Sequence, residues 1–471
     1  TRSKGPRVQR YLAAVKTLAS CTDLIAAQRA KLGARDTFLQ GRSRRAPVRA
    51  AAISSSARMR WLLAMLLLRH AAALQRCTPS LRSITRRGQL RMAASKSVTI
   101  KRGKARLFRD GNPLVYGGAV ERTTGDVRRG DAVEVVDGAG NNIGWGFYNP
   151  DSMYRVRLLP GPMQDDPMQA VRALIETACE RRSALNLPSE TTSAFRLINS
   201  EGDGLSGLTV DAYGAHLVCS ISAAWAEQRR PEITAVLEES YAALIDDKPQ
   251  IIWRPAVSRL KSEGLEIEAT DEGGDAVEAT ESNLIYEVDV WGQKTGFYCD
   301  QRDNRNFLAP LCTGKNVLDL YCYSGGFALS AAKHGASSCI GVDSSRRAVE
   351  LAQRNAERNA LDGICSFVSS DVSAFLNANT DEYDVVICDP PKLAPSIRDL
   401  PRAKRKYQKI NALALNAVRP GGLLLTCSCS SAMTTSEGAF LAMLREASKD
   451  AGKRLTVLRT AGAAADHVLH P

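Results

Sequence analysis

Two cysteines, Cys427 and Cys429, close an apolar run in the segment Leu-Leu-Leu-Thr-Cys-Ser-Cys-Ser, downstream of Asp389-Pro390-Pro391-Lys392. A thiolate is suited to adding to an electron-poor ring carbon, because it is strongly nucleophilic and leaves readily. Added to carbon 6 of a cytosine, it turns the ring into an enamine-like species whose carbon 5 can attack an electrophilic methyl group. A thiol is more often a small buried hydrophobe, and Cys427, which continues the apolar run, fits that reading. Cys429 lies past the run in a Ser-rich turn, where exposure is expected. The two prolines after Asp389 stiffen the chain. A carboxylate held there can grip a planar base edge, accepting from an exocyclic amine or, when protonated, donating to a ring nitrogen. The alternative for Asp389 is a loop with a capping acid.

Three further acids stand at intervals that suit a nucleoside ligand. Asp319 opens the turn Asp-Leu-Tyr-Cys-Tyr-Ser-Gly-Gly-Phe, in which Tyr321 and Ser324 precede Gly325 and Gly326. The glycine pair lets backbone approach a ligand closely and frees amides at a helix start. Asp343 follows a second apolar run, where a carboxylate can accept from both hydroxyls of a ribose. Asp371 follows a third and can meet an adenine amino group. Each also reads as a helix N-cap, since Asp is a preferred cap. Three at successive strand ends, beside the Gly-Gly turn, favour a bound nucleoside. The turn lacks both the dinucleotide pattern of spaced glycines and the Lys-Ser/Thr of a triphosphate loop.

These groups need a frame that brings strand ends together. From about Leu284 the chain alternates strand-like and helix-like segments, with strands over 317–321, 339–343, 366–369, 383–389, 422–428 and 454–458. Helices are expected from Gly326 and over 346–359, 404–418 and 436–451. That alternation implies a parallel, doubly wound sheet with ligands at the carboxyl ends of its strands. Between Ser97 and Leu159 the pattern is short alternating strands with turn chemistry at Asp137-Gly138 and Asn141-Asn142, a small β-barrel. A central α/β segment follows, with helices over 168–185 and 226–244, strands near 195–198, 208–211, 216–222 and 251–254, and an exposed acidic loop from Glu266 to Glu281.

The formal net charge of +13 suggests nucleic acid, but its distribution qualifies that reading. Residues 1–96 hold 21 Lys and Arg against only Asp23 and Asp36, and the remainder is net acidic. RNA affinity of the folded body must therefore come from local patches. The extension is rich in Arg, Ala and Ser, as organellar transit sequences are, and its apolar run Trp61–Leu68 resembles a signal-peptide core. Eight residues are too few to span a bilayer, which takes about 20. A plastid destination is expected, the stroma reached through the secretory route, with the mitochondrion as the alternative. The twelve cysteines show no paired zinc spacing, so free thiols in a reducing compartment, no metal and a soluble body without membrane spans are expected.

Taken together, the motifs VLDLYCYSGGF, ICDPPK, LLLTCSCSSAMT and AAADH resemble the bacterial large-subunit ribosomal RNA cytosine-5 methyltransferases that carry an N-terminal PUA domain. The segments RLINSEGDGLSGLTVDAYG (196–214) and GQKTGFYCDQRDNR (292–305) resemble that family more specifically. The resemblance spans Ser97 to Pro471. Composition marks 1–96 as a targeting extension; the resemblance implies a PUA-like barrel over 97–160, a central α/β domain over 161–288 and a Rossmann-like methyltransferase domain over 289–471. It implies S-adenosyl-L-methionine as cofactor, held near Gln301, Asp303, the Asp319–Gly326 turn, Asp343, Asp371 and Asp389. It assigns the nucleophile to Cys429, with Asp389 beside it, and implies large-subunit ribosomal RNA as substrate and often a homodimer. After the AAADH motif the family continues with a loop and a final strand, which this sequence lacks, so that strand is expected to be missing from the sheet.

For RNA contacts, the basic run Arg398–Lys409 carries Lys404, Arg405, Lys406 and Tyr407 close behind Lys392, a pattern for phosphate binding with base stacking. It reads equally as a solvated helix face. Lys101, Arg102 and Lys104 of the barrel are further phosphate candidates. Two other functions remain open from the residues alone: a methyltransferase acting on a base nitrogen of guanine or adenine, which needs Asp389 but no thiol, and a non-catalytic RNA-binding assembly factor.

Overall fold

Period-two alternation shapes the first described segment. In Ala132–Val136, Val133 and Val135 are buried while their neighbours are half-buried, the signature of a strand with one face on a core. The computed structural model describes residues 96–268, 276–394, 396–436 and 438–470; the extension up to residue 95 lies outside them. The first sheet comprises β1 (Ser97–Ile100), β2 (Leu114–Tyr116), β3 (Val120–Thr124), β4 (Ala132–Val136), β5 (Asn142–Tyr148) and β6 (Tyr154–Leu159), with the short helix α1 (Ala105–Arg109) after β1. Its order is β2-β6-β5-β4-β1-β3, mixed because β1 runs parallel to β4 and antiparallel to β3. The outer strands β2 and β3 share no ladder, so the expected barrel is an open one around Val98, Ile100, Phe108, Val115, Val133 and Val156.

The central layer is a four-stranded sheet of β7 (Ala194–Asn199), β8 (Leu208–Tyr213), β9 (His216–Ile221) and β10 (Gln250–Pro255), ordered β10-β9-β8-β7, with α2 (Pro167–Ala184) and α3 (Arg230–Ile245) packed together. Next comes a hairpin of β11 (Val277–Glu281) and β12 (Leu284–Val288). This corrects the expected loop over 266–281 in part. Val277, Ala279 and Glu281 alternate onto the buried face, and Glu281 is tolerated there because Arg305 holds it through two bonds of 2.6 and 2.7 Å. Residues 269–275 of that stretch lie outside the described residues.

The last sheet is the parallel, doubly wound one. Its strands are β13 (Asn316–Leu320), β14 (Ser338–Asp343), β15 (Cys365–Ser369), β16 (Tyr383–Cys388) and β17 (Val418–Thr426), in the order β15-β14-β13-β16-β17, all pairs parallel. Preceding it is α4 (Arg302–Leu308); between strands lie α5 (Gly326–Lys333), α6 (Arg346–Arg358), α7 (Val372–Ala378) and α8 (Leu400–Ala417), and α9 (Ala439–Asp450) follows β17. The order reverses between β14 and β16 around β13, a switch point that opens a crevice at the carboxyl ends. The strand expected over 454–458 does not form. No described strand pairs with it, and Val457 and Leu458 remain 59% and 72% exposed. A strand is specified by its neighbour as much as by its own side chains.

The central layer and the parallel sheet are tied by buried charge. Asp466, fully buried, accepts from Arg302 at 2.7 and 3.1 Å and from the Arg196 amide at 2.8 Å. Arg182, also fully buried, pairs with Asp203 and donates to the Asp466 carbonyl at 2.6 Å. Burial acts to raise the Asp466 carboxyl, but its bonds to His467 and Arg302 win and hold it well below the usual carboxylate range. Its contribution to stability is present above the unfolded carboxylate value of about 4 and is lost as pH falls below that. Removing one partner of such a pair leaves a buried charge alone. Glu281→Ala, which strands Arg305, is expected to lower unfolding free energy by about 3–5 kcal/mol in urea titration; a loss below about 1 kcal/mol would show that water already serves the pair.

Candidate active site

The turn after β13 is a strained piece of backbone. Tyr321 and Tyr323 adopt φ of 64° and 47°, and Gly325 one of 82°. Left-handed non-glycine residues cost on the order of 1 kcal/mol or more each, so partners must hold them. The amides of Tyr321 and Cys322 donate to the Val342 carbonyl at 2.8 and 3.1 Å, and the Tyr323 amide donates to the Asp343 carboxylate at 3.1 Å. Asp343 also accepts from the Ser345 amide at 2.9 Å. Each of its oxygens therefore carries one backbone donor and keeps a lone pair for a further donor, as binding a ribose diol requires.

Asp319 plays a different part from the one expected. It is 1% exposed and accepts from the Ala328 amide at 3.0 Å, fixing the start of α5 from beneath the turn. Burial lifts its carboxyl to about 7. Ser324 is buried as well, its carbonyl accepting from Asn355. Asp371 is exposed and caps α7, accepting from the Ala374 amide at 2.8 Å, so its capping role is realised. Asp303 accepts from the Ala465 amide at 3.1 Å and holds the chain's last described segment.

Asp389 and the two cysteines meet at the ends of β16 and β17. Gln301, on the turn before α4, donates to Asp389 at 2.9 Å and to the Cys427 sulfur at 3.5 Å. Its own oxygen accepts from Asn304 at 2.8 Å, which fixes the amide's orientation. Burial and then the charge of Asp300 push Asp389 up to about 6, so it can hold or release a proton near neutral pH. Burial drives the Cys427 thiol well above the ordinary range, as befits an inert structural cysteine. Cys429 is the exposed member of the pair, lying past β17 with its sulfur 3.9 Å from the Pro390 carbonyl. Partial burial and the Asp389 charge raise its thiol, while Lys294 and Lys392 act to lower it.

A loop from Trp291 to Tyr298 faces this site. Tyr323 donates from its hydroxyl to the Gly296 carbonyl at 3.1 Å, and the Tyr323 and Tyr298 rings meet edge-on at 5.2 Å. Gly296 sits at φ 117°, and an added Cβ would fall 2.6 Å from Val288, so only glycine fits. Lys294 bonds Asp300 at 2.7 Å and lies 3.9 Å from the Tyr298 ring centroid. Lys294, Tyr298 and Asp300 were not among the expected site residues, although they fall in the segment 292–305 that the sequence singled out; tertiary folding alone brings them to Cys429.

Among the RNA candidates, Lys101, Arg102, Lys104, Lys392, Arg405 and Lys406 are exposed and Lys404 is half-buried. Tyr407 is not a stacking platform. It is fully buried, with its hydroxyl 2.9 Å from Ser430 Oγ and accepting from Ser428 at 3.1 Å, so it braces the Ser-Cys-Ser turn. Helical periodicity put it on the inner face of α8, opposite the basic side. No cluster suited to a metal ion and no helix able to cross a membrane is found among the described residues.

Residues 98–160 match a PUA-like domain family and residues 312–462 a methyltransferase domain family. The chain is 34% identical over 391 residues to ribosomal RNA large subunit methyltransferase I of Photobacterium profundum, covering 79% of this chain and 95% of that one. It is 36% identical over 387 residues to the protein of the same name from Aeromonas hydrophila, again covering 79% and 95%. Among solved structures, one from Streptococcus mutans assigned as a SAM-dependent methyltransferase superposes with a TM-score of 0.64 at 21% identity, over 79% of this chain and 96% of that one. A methyltransferase complexed with SAH gives 0.65 at 22% identity over 79% and 95%. These likenesses establish the shared fold.

The contrast between the two thiols is measurable. With iodoacetamide, Cys429 is expected to alkylate with a rate that climbs with pH through a midpoint above 9.0, while Cys427 stays protected in the native state. Peptide mass mapping reads both sites, and equal labelling of the two would contradict the assignment.

Proposed function

The chain belongs to the family of ribosomal RNA large subunit methyltransferase I, and on that premise we propose that it forms 5-methylcytidine in large-subunit ribosomal RNA through a covalent adduct to Cys429. The single observation carrying this reading is the exposed Cys429 thiol beside Asp389 at adjacent strand ends, with Cys427 tucked away against Gln301. A base-nitrogen methylator has no use for such a thiol.

The residues present fit S-adenosyl-L-methionine. Asp343 has acceptor capacity for ribose hydroxyls, the Tyr321–Gly325 turn offers a close backbone approach, and Gln301 and Asp389 line the far side. When bound, the cofactor supplies the electrophilic methyl group that carbon 5 of the cytosine takes up. The protein's part is to make carbon 5 reactive. The Cys429 thiolate adds to carbon 6, which pushes electron density toward carbon 5. Asp389, poised near pH 6, grips the Watson–Crick edge: ionised it accepts from the exocyclic amine, protonated it donates to N3. Loss of the carbon 5 proton then lets the sulfur leave carbon 6 and restores the thiolate.

Reaching a cytosine in this crevice requires it to be unstacked, so an unpaired or partly assembled ribosomal RNA is the substrate we favour. Exposed Lys392, Arg405 and Lys406, with Lys101, Arg102 and Lys104 in the turn after β1, supply the phosphate contacts. The basic, acid-poor composition of residues 1–96 supports import into a plastid, with the mitochondrion as the alternative destination.

Cys429→Ala is expected to abolish methyl transfer to ribosomal RNA while cofactor affinity, read by calorimetry, stays within about twofold of wild type. Cys427→Ala is expected to keep substantial activity. Turnover by Cys429→Ala at the wild-type rate would overturn the covalent mechanism.

A further inference from the structure

Arg254 lies on β10, the edge strand of the central sheet, yet its guanidinium reaches into the loop that faces Cys429. It donates to the carbonyls of Trp291 at 3.4 Å, Gly292 at 3.0 Å and Lys294, and lies 5.9 Å from the Trp291 ring centroid. One residue on, Thr295 donates to Asp211 of β8 at 2.5 Å and meets the Tyr213 hydroxyl at 3.1 Å. Asp211 is in turn fixed by Arg196 through bonds of 2.6 and 3.1 Å. Two strands of the central domain thus hold three carbonyls and one hydroxyl of a loop that belongs to the methyl-transfer site.

The loop needs holding. Lys294 adopts φ 52°, a left-handed conformation that a lysine does not take up unaided. Its ammonium reaches Asp300 and lies over the Tyr298 ring, and its charge acts to lower the Cys429 thiol. Asp389, Lys294, Lys392 and Tyr298 are charged or titratable groups coupled to the Cys429 sulfur, and the Asp300 carboxylate pairs with the Lys294 ammonium. Asp389 opposes the thiolate, and Lys294 and Lys392 favour it. Lys392 is exposed, whereas Lys294 is held at both backbone and side chain.

We propose that Arg254 is a positioning residue for methyl transfer: by gripping the carbonyls of Trp291, Gly292 and Lys294, it keeps the Lys294 ammonium turned toward Cys429. The central domain thereby sets the reactivity of a thiol it does not touch. The bonds Arg254 makes here go to the loop's carbonyls, so its effect runs through the loop. This inference rests on Cys429 being the nucleophile, but its test reads the thiol itself.

The experiment follows alkylation of Cys429 by iodoacetamide against pH in the full chain, with peptide mass mapping to isolate the site. Lys294→Met and Arg254→Met are each expected to move the midpoint upward by about one pH unit. The double variant should shift no further than either single one, because both act through the same charge. Arg254→Lys, which keeps one donor, should recover part of the shift. A natively folded Arg254→Met with the wild-type midpoint, or additive shifts in the double variant, would overturn the proposal. If Arg254→Met does not fold, the exposed Lys294→Met decides alone, and an unmoved midpoint there is equally fatal. An active Cys429→Ala would instead sink the nucleophile and leave any measured shift standing.

Discussion

Parallel strands deliver their carboxyl ends to one edge of the sheet, and every chemical feature of this protein depends on that constraint. Asp343 ends β14, Asp389 follows β16 and Cys429 follows β17, and none of them is close to another in the chain. Hydrogen-bonded register makes them neighbours: Leu320 lies opposite Val342 on one side and Cys388 on the other, and Cys388 opposite Thr426. The order reversal at β13 opens a crevice with Asp343 on one side and Asp389 and Cys429 on the other. A shift in the β16–β17 register would carry Cys429 away from Asp389 without altering a single residue.

Electrostatics then sorts chemically similar groups into different roles. Asp319, Asp343 and Asp389 stand at the ends of neighbouring strands, yet Asp319 is sealed beneath the turn, Asp343 retains acceptor capacity and Asp389 is poised near neutrality. The two cysteines divide in the same way. Cys427 is embedded against Gln301, whereas Cys429 emerges beyond the strand, where the charges of Lys294 and Lys392 act to lower its thiol. Environment, not residue type, separates the exposed thiol from the buried one.

Much of this frame was legible in the sequence because it is written in short-range periodicity. The strands carrying Asp319, Asp343 and Asp389 and the helices between them follow from apolar spacing, and the exposure of Cys429 follows from its place beyond the run. What was hidden depends on distant partners. Val277–Glu281 looked too acidic to be buried, because Arg305, which neutralises Glu281, is far along the chain. Arg454–Leu458 has strand composition but no strand to pair with among the described residues. Tyr407 sits in a basic run yet faces inward, since helix geometry, not local charge, decides which side it takes. Lys294 and Arg254 come from different layers, and no spacing rule joins them.

The central claim is that Cys429 bonds to the cytosine it methylates. Large-subunit ribosomal RNA transcribed with 5-fluorocytidine in place of cytidine tests this directly, because fluorine at carbon 5 cannot leave as a proton does and the sulfur stays attached. With cofactor present, the account predicts a denaturation-resistant protein–RNA adduct whose cross-linked peptide contains Cys429, absent from Cys429→Ala. Methylation of the fluorinated RNA without any adduct, or an adduct mapped to another residue, would contradict it.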